Sequence, residues 1–289
     1  MEYIRCPLSY DPATLSPLHA VVLAIVQGVT EFIPVSSSAH LILVPYLLGW
    51  PDQGLAFDVA CHLGTLLAAL VYFRRDVIDL ATGVFTGRRE GGAGGEDSFY
   101  PRKLAAGLVA GSVPAAIVGI LLKSWIEGAA RNPLLIAGTS IAFGLLLALA
   151  DHTGRKQRDL GQIGILAGLA IGCAQALALV PGTSRSGVTI TLALLLGFSR
   201  EAAARFSFLL FLPVAGGAAL LEGHKLLRTG LPHAEQVAFA LGIVVSALVG
   251  YAVIAWLIGW LRRRSLDLFV VYRVLLGLAI LAVVFARRV

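Results

Sequence analysis

Six runs of roughly twenty apolar residues divide this 289-residue chain, at about 55–73, 104–122, 133–150, 202–221, 237–261 and 268–286. As a helix, each is long enough to cross a hydrocarbon layer of about 30 Å. Backbone N–H and C=O groups find no water at that depth, so a lone apolar run must satisfy them internally, as a helix does. The charges agree. Only 14% of the residues are Asp, Glu, Lys or Arg and mean hydropathy is +0.83, whereas a water-exposed domain carries about a quarter charged residues. The reading is an all-α polytopic membrane protein forming a single integral membrane domain.

Two further apolar regions are interrupted. The run 18–33 meets Pro34 and resumes at 39–50; the run 163–180 meets Pro181 and resumes at 188–198. Proline removes an N–H and ends the helix before it. Irregular backbone at membrane depth survives only inside protein or against a wet cavity. Each region is therefore read as a re-entrant helix–loop–helix hairpin, giving six transmembrane helices plus two hairpins. The hairpins also resemble each other. Gln27, Pro34, Ser36-Ser37-Ser38 and Gly49 form one series; Gln175, Pro181, Ser184-Arg185-Ser186 and Gly197 form the other. Such a series suggests an inverted repeat with halves of roughly 18–150 and 160–289 and a site at their interface.

Basic residues orient the chain. With the N-terminus outside and each hairpin returning to its own side, fourteen of the 23 Lys and Arg fall on one face and seven on the other. The richer face, which includes the loop 74–103, is assigned to the cytoplasm. Both termini then lie outside. The net charge of +6 is explained by this bias and by anionic membrane lipids, not by nucleic acid. Residues 1–17 lack a basic n-region and cleavage site, so no removable signal peptide is expected. Cys6, Cys61 and Cys173 form no CxxC, and the last two read as core residues.

The chemistry is concentrated in the hairpins. Gln27 and Glu31 are four apart and share a helix face; Ser36, Ser37, Ser38 and His40 follow. A carboxylate inside a membrane is costly unless it is paired, hydrated or bound to a cation. A helix cap alone would explain the serines, but not Glu31 and His40. In the second hairpin, Gly182, Thr183, Ser184, Arg185, Ser186 and Gly187 precede Thr189. Glycines let successive N–H groups wrap an anion, and Arg185 adds a planar fork suited to phosphate oxygens. A bare Arg185–Glu31 ion pair is the simpler alternative. If the hairpins face each other, their side chains are a set suited to phosphoryl transfer, which depends on positioning and charge stabilisation.

The runs QGVTEFIPVSSSAH (27–40) and PGTSRSGVT (181–189) resemble the two signatures of the bacterial undecaprenyl-diphosphate phosphatase family, the bacitracin-resistance type. The resemblance covers nearly the whole chain, including the Phe57-Asp58 step. It implies hydrolysis of undecaprenyl diphosphate on the outer side of the inner membrane, recycling of the peptidoglycan lipid carrier, and dependence on a divalent cation, Mg²⁺ or Ca²⁺. It places the paired acidic motif on Gln27 and Glu31 as the metal position, and catalytic roles on Glu31, Ser37, His40 and Arg185. Substrate binding falls to Gln27, Ser36, Ser38, Gly182, Thr183, Ser184, Ser186, Gly187 and Thr189. Two positions depart from the pattern: Gln27 is a neutral amide, and Ala39 stands where glycine is frequent. The attacking group is left open between Ser37, His40 and a water.

Other polar residues read as structural first. Asp58 and His62 would orient the first hairpin, and Arg273 would pair with Asp267 or touch a lipid phosphate. Trp50, Trp125, Trp256 and Trp260 read as interfacial anchors. Partners are the polyprenyl diphosphate and bacterial membrane lipids, with a homodimer left open. The rival class is a transporter or flippase of a phosphorylated lipid or anion, because broken helices in inverted repeats are carrier architecture.

Overall fold

A computed structural model describes residues 15–86, 100–122, 132–229 and 233–286. Cys6, Trp125 and residues 87–99 of the loop 74–103 lie outside the described residues. All regular structure among the described residues is helical apart from one isolated bridge, Arg158 to Phe198. In chain order the helices are α1 (Pro17–Thr30), α2 (Ser37–Leu48), α3 (Gly54–Tyr72), α4 (Arg74–Thr86), α5 (Tyr100–Leu121), α6 (Pro133–Thr153), α7 (Ile165–Ala176), α8 (Arg185–Leu195), α9 (Arg200–Thr229), α10 (His233–Leu261) and α11 (Asp267–Ala286).

Helices α5, α6, α9, α10 and α11 are each long and apolar enough to cross a membrane. Helix α3 passes that test only together with α4, which bends away from it by 70°. The run expected at 55–73 is thus a helix that turns at Phe73 instead of continuing. The interrupted regions became α1–α2 and α7–α8, whose helices are individually too short to cross. Local chemistry fixes their ends. Ser16 Oγ accepts from His19 N–H and Pro17 fills the first helical position, where a missing N–H does no harm. Gly49, with φ 67°, closes α2 in a left-handed cap.

Two of the short helices lie against long ones, α1 on α10 and α7 on α5, and the long helices α6 and α11 pack on each other. Helices α5 and α7 approach so closely that a Cβ at Gly168 or Gly172 would collide with the backbone of Gly107 or Gly111, the small-residue contact that serves inside membranes. A buried aromatic group sits behind the first loop, where Phe32 meets Phe208 and Phe211 edge-on at 5.2 and 5.7 Å. At one end of the bundle, fully buried Asp151 accepts from Arg200 at 2.5 and 3.0 Å and from Leu266 N–H at 2.9 Å, tying α6, α9 and the α10–α11 turn together. Leu166, Leu220, Ile120 and Val109 stand exposed on the outside, as side chains meant for lipid do.

Candidate active site

The two hairpin loops meet. Glu31 caps the C-terminus of α1, its N–H bonded to Gln27 O. One carboxylate oxygen, Oε2, accepts from Gln27 Nε2 at 2.7 Å and from Ser37 Oγ at 2.6 Å, and lies 3.5 Å from His62 Nε2. The other oxygen accepts from Arg185 of the second hairpin. Arg185 also lies flat over Phe211, 3.7 Å from the ring centroid, a cation–π contact that replaces part of its lost hydration. Ser186 Oγ reaches the Ile33 carbonyl at 3.3 Å, a second bond between the hairpins. Glu31 is 6% exposed and Gln27 fully buried, whereas Ser37, Ser38 and Arg185 keep some exposure, so the cluster has an opening.

Both loops turn on a serine held at positive φ: Ser36 at 76° and Ser184 at 70°. Such a conformation is strained for any residue with a Cβ and is found where surrounding structure enforces it. In both loops the flanking hydroxyls pair alike, Ser36 with Ser38 and Ser184 with Ser186, each at 3.3 Å. Ser184 Oγ also accepts from Gly187 N–H at 3.1 Å, while Ser36 makes no side-chain cap bond.

Arg273 ties the two loops together beside these serines. This guanidinium, fully buried in α11, donates to the carbonyls of Pro34 (3.1 Å) in the first loop and Gly182 (2.8 Å) and Thr183 (2.9 Å) in the second. It also donates to Ser140 O at 3.1 Å and Thr139 O at 3.5 Å on α6. Neither expected partner, Asp267 or a lipid phosphate, applies: Asp267 bonds His152 and Ser265 instead, and five carbonyls occupy the guanidinium. Arg273 also explains Gly187, where a Cβ would run into its Nη1.

The remaining expectations divide. Glu31, Ser37, Gln27 and Arg185 come together, with Ser36, Ser38, Ser184 and Ser186 around them. Thr189 does not join them: its hydroxyl faces Ser207 Oγ at 2.6 Å. Gly182 and Thr183 contribute carbonyls to Arg273, although the buried Thr183 Oγ1 has no partner among the described residues. His40 bonds Ser36 O and Tyr272, at 2.7 and 2.6 Å. Asp58 orients α2 through Gln53, whose Nε2 bridges Asp58 and the Leu41 carbonyl. His62, expected to do likewise, reaches Glu31. Phe211, Tyr272 and the clamp role of Arg273 have no local signature. The one available signal was an arginine in the middle of an apolar run, which marks a buried polar role.

Among the described residues no group of three or more His, Cys, Asp or Glu could hold a metal. One carboxylate and one orphaned acceptor do sit together: Gln27 Oε1 is buried beside Glu31 without a partner among the described residues. That set suits a hard cation which takes its other ligands from substrate oxygens and water.

Comparison with known proteins decides the family. The family described as bacitracin resistance protein BacA matches residues 20–279. The chain belongs to the BacA family. Relatives of this BacA chain include the undecaprenyl-diphosphatase of Geobacter metallireducens, 52% identical over 94% of this chain and 99% of the relative. That of Geobacter sulfurreducens is 52% identical over 93% and 99%, and that of Moorella thermoacetica 47% over 95% and 100%. With its apolar helices, BacA membership makes this a multi-pass inner-membrane protein.

Proposed function

We propose that this chain hydrolyses undecaprenyl diphosphate to undecaprenyl phosphate and phosphate, returning the lipid carrier to cell-wall synthesis. The observation that carries the reading is the junction of Glu31, Ser37 and Arg185: a hydroxyl 2.6 Å from a buried carboxylate, with an arginine from the opposite loop on that carboxylate's other oxygen. The diphosphate competes with Glu31 for the Arg185 guanidinium, which matches phosphate oxygens bidentately. The Ser37, Ser38, Arg185 and Ser186 N–H groups, which open α2 and α8, lack helical acceptors by geometry and add donors for phosphate oxygens. Ser37 Oγ attacks the terminal phosphorus and gives its proton to Glu31 Oε2. The Ser37–phosphorus bond forms as the bridging bond to the prenyl monophosphate breaks. Glu31 passes that proton to the departing prenyl phosphate and is free to act as base again when water attacks the phosphoserine; the phosphorus–Oγ bond then breaks and Ser37 Oγ recovers a proton.

A divalent cation, Mg²⁺ or Ca²⁺, belongs to the proposal. Glu31 and Gln27 Oε1 would hold it, and it would supply neutralisation of charge on the phosphoryl oxygens. The two halves are read as an inverted repeat, supported by the paired strain at Ser36 and Ser184 and by matched packing, α1 on α10 and α7 on α5. The bias in basic residues supports both termini on the outer face; that the site opens to the same face follows from the family resemblance. The Ser37–Glu31 bond weighs against a carrier, which needs no nucleophile beside a base.

The test is phosphate release from undecaprenyl diphosphate by the detergent-purified protein, with and without divalent cation, beside Arg185→Ala and Glu31→Gln. Cation-dependent release lost in both variants is expected. A folded wild type that binds the lipid but releases no phosphate overturns the proposal in favour of transport.

A further inference from the structure

The first loop turns on Ser36, a strained residue without a side-chain cap. Its carbonyl accepts from His40 Nδ1 at 2.7 Å. A carbonyl only accepts, so Nδ1 carries a proton, and in the neutral ring Nε2 is left as the acceptor. The Tyr272 hydroxyl of α11 fills that place at 2.6 Å, with the two rings nearly parallel at 13° and 5.7 Å between centroids. Both imidazole nitrogens are thereby engaged, in a side chain only 7% exposed. The reacting groups find their partners elsewhere: Ser37 on Glu31, and Glu31 on Gln27 and Arg185. A proton carrier has to lie within hydrogen-bond reach of the reacting oxygen, or one water away, and His40 is bonded to a loop carbonyl and a tyrosine.

The second hairpin shows how the same turn is held without a histidine. Val188 stands 148 positions after His40, the separation that also relates Ser36 to Ser184 and Gly49 to Gly197. Valine offers no hydrogen bond. There Ser184 caps its own turn through Gly187 N–H at 3.1 Å, and Thr139 of α6 donates to the Pro181 carbonyl at 2.7 Å. The first loop lacks the serine cap, and its Ile33 carbonyl, the counterpart of Pro181, accepts the longer bond from Ser186 Oγ at 3.3 Å.

We propose that His40 and Tyr272 are positioning residues. The chain of bonds from the Tyr272 O–H to His40 Nε2, and from His40 Nδ1–H to the Ser36 carbonyl, holds the strained peptide so that Ser37 stays on Glu31. The proposal rests on the hydrolytic reading above and assigns His40 no proton transfer.

Asparagine at position 40 keeps a donor near Nδ1 and cannot titrate. The test measures kcat and KM for undecaprenyl diphosphate in the full chain carrying His40→Asn, Tyr272→Phe and both. The expected result is His40→Asn within about tenfold of wild-type kcat, Tyr272→Phe lowered several-fold, KM little changed in either, and the double variant no worse than His40→Asn because the two act through one chain of bonds. A His40→Asn loss in the upper part of the range of about 10²–10⁴-fold expected for a lost acid–base group, with Tyr272→Phe at wild-type rate, overturns the proposal. So does an additive double variant. If His40→Asn fails to fold by gel filtration, Tyr272→Phe decides alone: an unchanged kcat overturns the proposal and a several-fold loss upholds it. A wild type that releases no phosphate is the separate failure of the hydrolytic reading.

Discussion

Ser36 and Ser184 occupy the same place in two hairpins whose backbones turn alike. Yet the residue after one is Ser37 and after the other Arg185, and the position one turn before the loop is Glu31 in the first and Leu179 in the second. The first hairpin carries the carboxylate and the hydroxyl held on it; the second carries the cation. Similar geometry with divided chemistry explains why neither hairpin can act alone. It also explains why the Glu31–Arg185 pair is both a structural bond and part of the site: each charge neutralises the other at a depth where an unpaired charge is expensive.

The comparison can be broken most severely at the residue both hairpins share. Arg273→Met orphans the Pro34, Gly182 and Thr183 carbonyls at once. It should abolish phosphate release and lower stability by about 3–5 kcal/mol, read from thermal unfolding in detergent, with Arg273→Lys intermediate. A stable, active Arg273→Met protein would mean that the loops hold themselves. Ser37→Ala should cut turnover by about 10³-fold or more, with lipid binding and unfolding temperature nearly unchanged; retained turnover would transfer the attack to water. The single changes Glu31→Gln and Arg185→Gln should each destabilise by a few kcal/mol because one buried charge loses its partner. The double change should recover much of that stability and none of the activity, which separates the pair's two duties. The smallest effect sharpens the difference in capping. Ser36→Gly should stabilise the fold by about 0.5–1 kcal/mol, because glycine relieves positive φ. Ser184→Gly should gain less, because it also loses the bond to Gly187 N–H.

Much of this arrangement was legible in sequence, for local reasons. Pro34 and Pro181 end helices wherever they stand, so the broken runs at 18–50 and 163–198 gave away both hairpins. The six long runs matched α3, α5, α6, α9, α10 and α11 to within a few residues, because twenty apolar residues leave the backbone few choices, except that α9 continues eight residues past the expected end at 221. The strain at Ser36 and Ser184 was not legible, since serine does not advertise positive φ as glycine does. Nor were the partners Phe211, Tyr272 and Arg273. They arrive from α9 and α11 by packing, and no spacing within the motifs encodes them. Thr189 misled for the opposite reason: it belongs to the second motif by position, yet helix periodicity turns its hydroxyl toward Ser207.

The placement of Arg273 has a consequence for how the protein is made. Glu31, Ser37 and Arg185 all leave the ribosome before Arg273, the residue that ties their loops together. A nascent chain threaded into the membrane as far as α10 would carry each reacting group and still lack the cation that sets Pro34 against Gly182. On the proposed hydrolytic reading, competence therefore waits for insertion of α11, and a product truncated before that helix should release no phosphate.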